Sequence, residues 1–228
     1  MIHKTWFIWK DINSLDFGII INKLPPVIKA ERNINKIEVL GRNGFLTEDY
    51  GTYKGYAKSV ECTIRNLEYI DNLCSWLNGF GNVIFSNEPD KIYRANIVNQ
   101  IPIEKIARNW RKFIIQFECQ PFKYLESELL IINKPISIYN EGTFESQPYM
   151  KIHGSGDISL NINDEVIKLK NINNYIELDS EIMECFKDNI NCNNYMSGEF
   201  PIFKVGENRI SWTGNVSKIE ITPNWRCL

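Results

Sequence analysis

The feature that most restricts what this chain can fold into is a period-two rhythm of apolar residues, repeated in many short segments. In "WRKFIIQFEC", Phe113, Ile115, Phe117 and Cys119 occupy every second position, and in "KSVECTI" Val60, Cys62 and Ile64 do the same. "GDISLNI" alternates Ile158, Leu160 and Ile162 with polar neighbours. After a turn at "NDEV", "VIKLK" carries Ile167 and Leu169, and "YIELD", "NRISW" and "KIEIT" keep the beat. Successive side chains of a strand point to opposite faces, so this rhythm means sheets with one buried side. Pro121, which lacks an N–H, is expected to end the strand through Cys119.

One segment departs from the rhythm. "YIDNLCSWLNGF" spaces Tyr69, Leu73, Trp76, Leu77 and Phe80 three or four residues apart, the stripe of an amphipathic helix. Gly79 and Gly81 supply a stop, and "NVIF" resumes as a strand. The expected fold is mainly β in two domains: residues 1–134 as an N-terminal β-sandwich with one α-helix and a hairpin arm, and residues 135–228 as a C-terminal β-sandwich. The junction is read at "NKPISIYNEGTFESQP", where Pro, Gly, Ser and Asn interrupt both patterns. At 228 residues each half is large enough for a core of its own.

Bulk properties narrow the function. The formal charge of −2 implies no general attraction to nucleic acid or anionic membrane. No apolar run approaches the ~20 residues of a membrane-spanning helix, and no secretory leader is read, so synthesis in a cytoplasm is expected. The six cysteines form no CxxC pair, and two histidines do not complete a zinc site of common spacing. Free, structural thiols are expected, Cys62 and Cys119 in strands among them. No cofactor or metal is expected.

The glycines of "VLGRNGFLTEDYGTYKGYAKSVECTI" raise the question of a phosphate loop. Such a loop runs from a strand into a helix, but here "KSVECTI", a strand, follows. "GRNG" reads instead as a turn, and Asp49–Ala57 as an extended arm carrying Tyr50, Tyr53 and Tyr56, candidates for contacts between copies. Asp179, Glu181, Glu184 and Asp188 crowd ten residues, as a glycosidase pair would not need to, and read as a solvated face. His3 and His153 have no nucleophile elbow nearby. Trp76 and Trp212 read as core and Trp225 as an anchor of the last strand, which leaves Tyr195 and Phe200 as candidate sugar contacts.

The ordered set "VLGRNGFLTEDYGTYKGY", "VECTI", "LCSWLNGFGNVIFSNEPDKIYRANIVN" and "FIIQFECQPFKY" resembles the distal tail protein family of long-tailed phages that infect Gram-positive bacteria. "GSGDISLNIN", "YIELDSEIMECFKD" and "MSGEFPIFKVGENRISWTGNVSKIEITPNWR" look like that family's outer domain. The resemblance implies a non-enzymatic virion protein of the tail tip or baseplate, assembled in the host cytoplasm. It implies an N-terminal domain that forms a homohexameric ring continuing the tail tube, and a galectin-like outer β-sandwich. The implied partners are the tail tube protein, a tail-associated lysin or tip protein, and receptor-binding proteins, with no sequence-specific nucleic-acid binding and no membrane insertion. The runner-up from another class is a carbohydrate-binding protein that touches the host wall through the C-terminal sandwich.

Overall fold

The computed structural model describes residues 5–65 and 70–228. The chain is mainly β and divides into two compact units, the first reaching Lys123 and the second running Tyr124–Cys227. His3 and Tyr69 lie outside the described residues.

The first unit is built from β1 (Phe7–Trp9), β2 (Ile12–Asn13), β3 (Ile19–Lys23), β4 (Arg32–Glu38), β5 (Phe45–Tyr53), β6 (Tyr56–Arg65), α1 (Ile70–Trp76), β7 (Gly79–Phe85), β8 (Glu88–Ile97), β9 (Glu104–Ala107) and β10 (Trp110–Leu125). Its main sheet curls through the order β2-β1-β7-β8-β10-β6-β3, with β9 added against β10. The alternating residues meet as expected: Phe113 stands opposite Cys62 and Ile115 opposite Val60, all at most 2% exposed. β4 and β5 leave this sheet and pair only with each other.

Two expectations are corrected here. Phe80 does not continue the helical stripe. α1 stops at Trp76, Gly79 takes a left-handed φ of 73°, and Phe80 emerges 61% exposed in β7. Nor does Pro121 end its strand. The ladder from β10 to β6 closes at Cys119↔Tyr56, so Pro121 lies past the last rung, where β6 asks for no N–H.

At seven residues α1 is too short to hold itself in water. It is held by Trp76, whose indole Nε1 donates to the Trp9 carbonyl (3.0 Å) while Trp9 Nε1 donates to the Trp76 carbonyl (2.9 Å). Phe7 and Phe17 stack on Trp76 at 5.6 and 4.6 Å. The indoles thus bury their rings and satisfy both N–H groups, together with one carbonyl at the frayed end of the helix.

Inside this unit lies a charge cluster with no signal in the alternation. Lys58, 1% exposed, places Nζ 3.5 Å from Glu88 Oε2 and donates to the Pro26 carbonyl at 2.8 Å. Lys123 Nζ sits 3.6 Å from the other carboxylate oxygen, and the Tyr93 hydroxyl donates to Oε2. Phe85 and Tyr93 turn their rings toward Lys58 Nζ at 5.4 and 4.6 Å. Burial lowers the Lys58 pKa against the opposing pull of Glu88, and burial also raises the Tyr93 and Tyr56 phenols.

The second unit contains β11 (Leu130–Ile132), β12 (Ile136–Asn140), β13 (Tyr149–Ile162), β14 (Glu165–Asp179), β15 (Glu184–Lys187), β16 (Ile190–Asn191), β17 (Met196–Ser197), β18 (Gly206–Thr222) and β19 (Arg226–Cys227). An eight-stranded sheet runs β11-β18-β13-β14-β15-β16, with β12 on β18 and β17 on β14. The segments "VIKLK" and "YIELD" are one strand, β14, and "NRISW" and "KIEIT" are both in β18. What looked like strand ends are irregularities in the ladder. In β14 the buried set passes from Ile167 and Leu169 to Ile172, Ile176 and Leu178, a change of parity spanned by Asn171 at φ 54°. In β18 it passes from Ile210 to Ile219 and Ile221, and the extra residue lies between Val216, which pairs with Gly154, and Lys218, which pairs with His153. One extra residue moves every later side chain to the other face, so a long strand stays core-facing only because the rhythm changes with the bulge. Gly154 permits a close approach of backbone: a Cβ there would stand 2.3 Å from the Asn215 carbonyl oxygen.

Two measurements check these accounts. Glu88→Gln leaves Lys58 and Lys123 buried without a counter-charge and is expected to cost about 3–5 kcal/mol in urea unfolding. The second concerns alkaline pH. Burial pushes the Cys62 and Cys119 thiols up to about 12 from an ordinary 9.0, and the Tyr93 and Tyr56 phenols above an ordinary 10.0. The folded state holds these protons more tightly, so the stability they contribute is complete below about pH 9 and is lost as pH rises toward 12. Lys58, with its pKa lowered, works in the opposite sense over this range but is one group against four. The urea midpoint should be level to about pH 8.5 and fall above 9, less steeply in Cys62→Val.

Candidate assembly surface

The glycine-rich stretch that posed the phosphate question is the tip of the β4–β5 hairpin. Gly41 and Gly44 adopt φ of 81° and 82°, and the Arg42 N–H closes the turn on the Val39 carbonyl at 3.1 Å. The chain leaves the tip as β5, so no helix N-terminus faces the loop. Along the hairpin, Ile37 pairs with Leu46 and Glu38 with Phe45. Ile37, Leu46, Glu48 and Tyr50 share one face, and Phe45 lies on the other with Lys36 Nζ 4.7 Å from its ring. Ile37, Val39, Phe45, Leu46 and Tyr50 are 41–53% exposed and Leu40 is fully exposed.

Its root is fixed more firmly than its tip. Gly51, at φ 71°, forms a bulge between the pairs Arg32↔Tyr53 and Ile34↔Asp49. One Asp49 oxygen accepts the Gly51 N–H at 2.8 Å and the other accepts Arg32 Nε at 2.7 Å. Both contacts hold the Asp49 pKa below its ordinary value, the Gly51 N–H foremost. Arg32 Nη1 donates to the Tyr53 hydroxyl at 2.9 Å, and Tyr53 packs edge-on against Phe122 at 5.8 Å.

The three tyrosines expected on one arm are therefore placed apart. Tyr50 is 53% exposed on the hairpin, Tyr53 is half-buried at its root, and Tyr56 belongs to β6 and packs against the first core. The first strand of the hairpin, Arg32–Glu38, went unread because Ile34 and Ile37 do not alternate. The available signal was a Gly/Asn turn with apolar residues on both sides, at 37–40 and 45–46.

In the second unit Tyr195 and Phe200 do not come together. Tyr195, 44% exposed, borders a hollow of about 420 Å³ with Tyr175, Lys187, Asp188 and Asn173, whereas Phe200 lines a separate cleft. Three of the four carboxylates between 179 and 188 are engaged in hydrogen bonds. Asp179 accepts the Glu181 and Ile182 N–H groups, Glu181 accepts the Tyr124 hydroxyl at 3.4 Å, and Asp188 accepts the Tyr175 hydroxyl. His153 Nε2 lies 3.1 Å from Glu220 and its ring 5.9 Å from Tyr175. Trp212 is half-buried against the second core, and Trp225 is buried, packed on Phe203 at 5.6 Å. Cys62 and Cys119 are buried in strands.

Residues 11–119 match the family described as the phage tail protein RIFT-related domain. The match begins at Asp11 and ends at Cys119, so it takes in the hairpin, α1 and the β6–β10 ladder of the first unit. A solved structure extends the likeness in fold to the second unit. The SPP1 Dit protein (gp 19.1), described as a paradigm of the hub adsorption apparatus in Gram-positive-infecting phages, superposes with a TM-score of 0.74 at 12% identity, covering 95% of this chain and 98% of that one. No curated protein matches the chain in sequence.

The root of the hairpin offers a direct check. Asp49→Ala removes the carboxylate that takes both the Gly51 N–H and Arg32. Amides of residues 34–48 should then exchange severalfold faster by hydrogen–deuterium mass spectrometry, while those of β6 and β10 stay as protected as before.

Proposed function

We propose that this phage tail protein is a structural hub of a tail tip or baseplate. In this reading the first unit assembles as a hexameric ring that continues the tail tube. The second unit, a galectin-like sandwich, faces outward. The ring joins the tube protein to a tail-associated lysin or tip protein and carries receptor-binding proteins. It works in the virion and is assembled in the host cytoplasm. No bond-breaking step is assigned to it.

The observation that carries this reading is the β4–β5 hairpin, rooted by Arg32, Asp49 and Tyr53 yet exposing Leu40, Phe45, Leu46 and Tyr50. A two-stranded hairpin is marginal in water and gains stability when a further layer or strand covers it. A closed ring needs unlike patches that meet head to tail, and a projecting hairpin on one copy with its receiving surface on the next is such a pair. Tyr50 is the tyrosine placed to reach a neighbour, with Tyr53 and Tyr56 supporting it from root and core. The likeness in fold to the SPP1 hub protein supports the same reading.

A second reading, glycan contact by the second unit, is favoured by the hollow at Tyr195, which sets two tyrosine rings beside amides, a lysine and an aspartate. It predicts binding of host wall polysaccharide by the monomer, lost in Tyr195→Ala.

Light scattering decides between a ring and a monomer. The intact chain should assemble to about six times its 26.7 kDa. Because Arg32 and Tyr53 stand directly opposite each other, Asn33–Thr52 can be replaced by a two-glycine turn without disturbing β6. That variant should stay folded by circular dichroism and remain monomeric. Hexamers that persist in it would remove the hairpin from the interface, and an intact chain that stays monomeric at every concentration would overturn the ring.

A further inference from the structure

The second unit contains a cleft that neither the hairpin nor the hollow at Tyr195 explains. It encloses about 280 Å³, with Ile162, Ile167 and Pro201 buried in its floor and Phe200 and Met183 on its walls. Glu145, Glu165 and Glu199 stand around it against a single lysine, Lys204. Glu165 and Glu199 make no ion pair among the described residues. Ser180 also lines the cleft. It is 2% exposed, its N–H is taken by the Pro148 carbonyl at 3.1 Å, and its hydroxyl has no hydrogen-bond partner in the protein.

These features select a ligand chemistry. An apolar floor takes hydrocarbon, three carboxylates against one ammonium favour a cation, and a buried unpaired hydroxyl is costly until a polar group reaches it. The volume lies at the small end of the range for ligand pockets, roughly 300–1,000 Å³, and suits one or two side chains better than an oligosaccharide. Lysine and arginine combine an apolar stem with a cationic head.

We propose that this cleft is a docking site for a lysine or arginine side chain of a partner polypeptide. The stem lies on Ile162, Ile167 and Phe200, the cationic head meets Glu165 and Glu199, and the Ser180 hydroxyl gains the partner it lacks. The inference rests on the hub reading only in taking the partner to be another tail protein. The cleft is tested on the chain alone, so a failure here and a failure of ring assembly are separate results.

The probes are the capped tripeptides acetyl-Leu-Lys-Leu-amide and acetyl-Leu-Gln-Leu-amide, titrated into the full chain with isotope-labelled Ile and Met methyl groups. The lysine peptide should give saturable shifts at Met183, Ile162, Ile167 and Ile202. Affinity should fall about fivefold or more for the glutamine peptide and for the Glu165→Gln/Glu199→Gln variant, whose exposed changes leave the core alone. Ser180→Ala should weaken the lysine peptide severalfold while the melting midpoint of the free protein stays level or rises, since an unpaired buried hydroxyl has been removed. A merely structural Ser180 would lower the midpoint and leave the peptide affinity unchanged. Equal affinity for the two peptides, indifference to the double variant, or no saturable shift up to about 10 mM would overturn the proposal. Tighter binding of chitotriose, a cationic amino-sugar oligomer, at the same methyl groups would also overturn it and assign the cleft to a wall sugar.

Discussion

The hairpin from Arg32 to Tyr53 carries exposed apolar side chains on both faces. In the curled sheet of the first unit the alternating residues close one face over an aromatic core, as Val60, Cys62, Phe113, Ile115 and Phe117 show. The hairpin departs from this pattern, and its root fixes where it does so. Asp49, Arg32 and Tyr53 use short polar contacts to fix where the two strands leave the sheet. A fixed root removes much of the entropy that a neighbour would otherwise have to quench, which is the physical content of preorganisation.

How much of this was legible in the sequence depended on how far each feature reaches. Faces of strands were readable because alternation is local: Val60, Cys62 and Ile64, or Phe113 through Cys119, announce their burial within a few residues. Breaks in that rhythm were readable as events but not as kinds of event. The gaps between "VIKLK" and "YIELD" and between "NRISW" and "KIEIT" are irregularities inside β14 and β18, because a bulge and a turn draw on the same residues. Pro121 misled for a related reason. Whether a missing N–H matters depends on a neighbouring rung, and that rung is set more than fifty residues away at Tyr56.

Sites were less legible than strands. Glu88 sits in a turn-like "NEPDK" run and reads as solvated, yet it balances two lysines brought in from β6 and β10. The cleft lined by Ser180 takes its walls from four separated stretches around residues 145, 165, 180 and 200, so no window along the chain contains it. Tyr195 and Phe200 are five residues apart and line different hollows, since a short 3-10 turn at Asn193–Tyr195 and the pairing of Met196–Ser197 with β14 turn the chain between them. Proximity in sequence is a poor guide where the backbone reverses within one turn.

The size of the exposed hairpin surface bears on when assembly would occur. Five of its six exposed apolar residues are about half shielded and Leu40 is fully exposed, so covering each contributes about 1 kcal/mol, on the order of 6 kcal/mol per hairpin. Losing the freedom of two separate molecules costs an estimated 4–15 kcal/mol, so a single such contact in isolation is close to balance. Closing a ring changes this, because the last subunit makes two contacts for one loss of freedom, and a partner that already presents sixfold symmetry removes still more of the cost. A marginal pairwise contact therefore fits the proposed ring, in which subunits that joined tightly in pairs would form open chains and weak ones would close only where closure is rewarded.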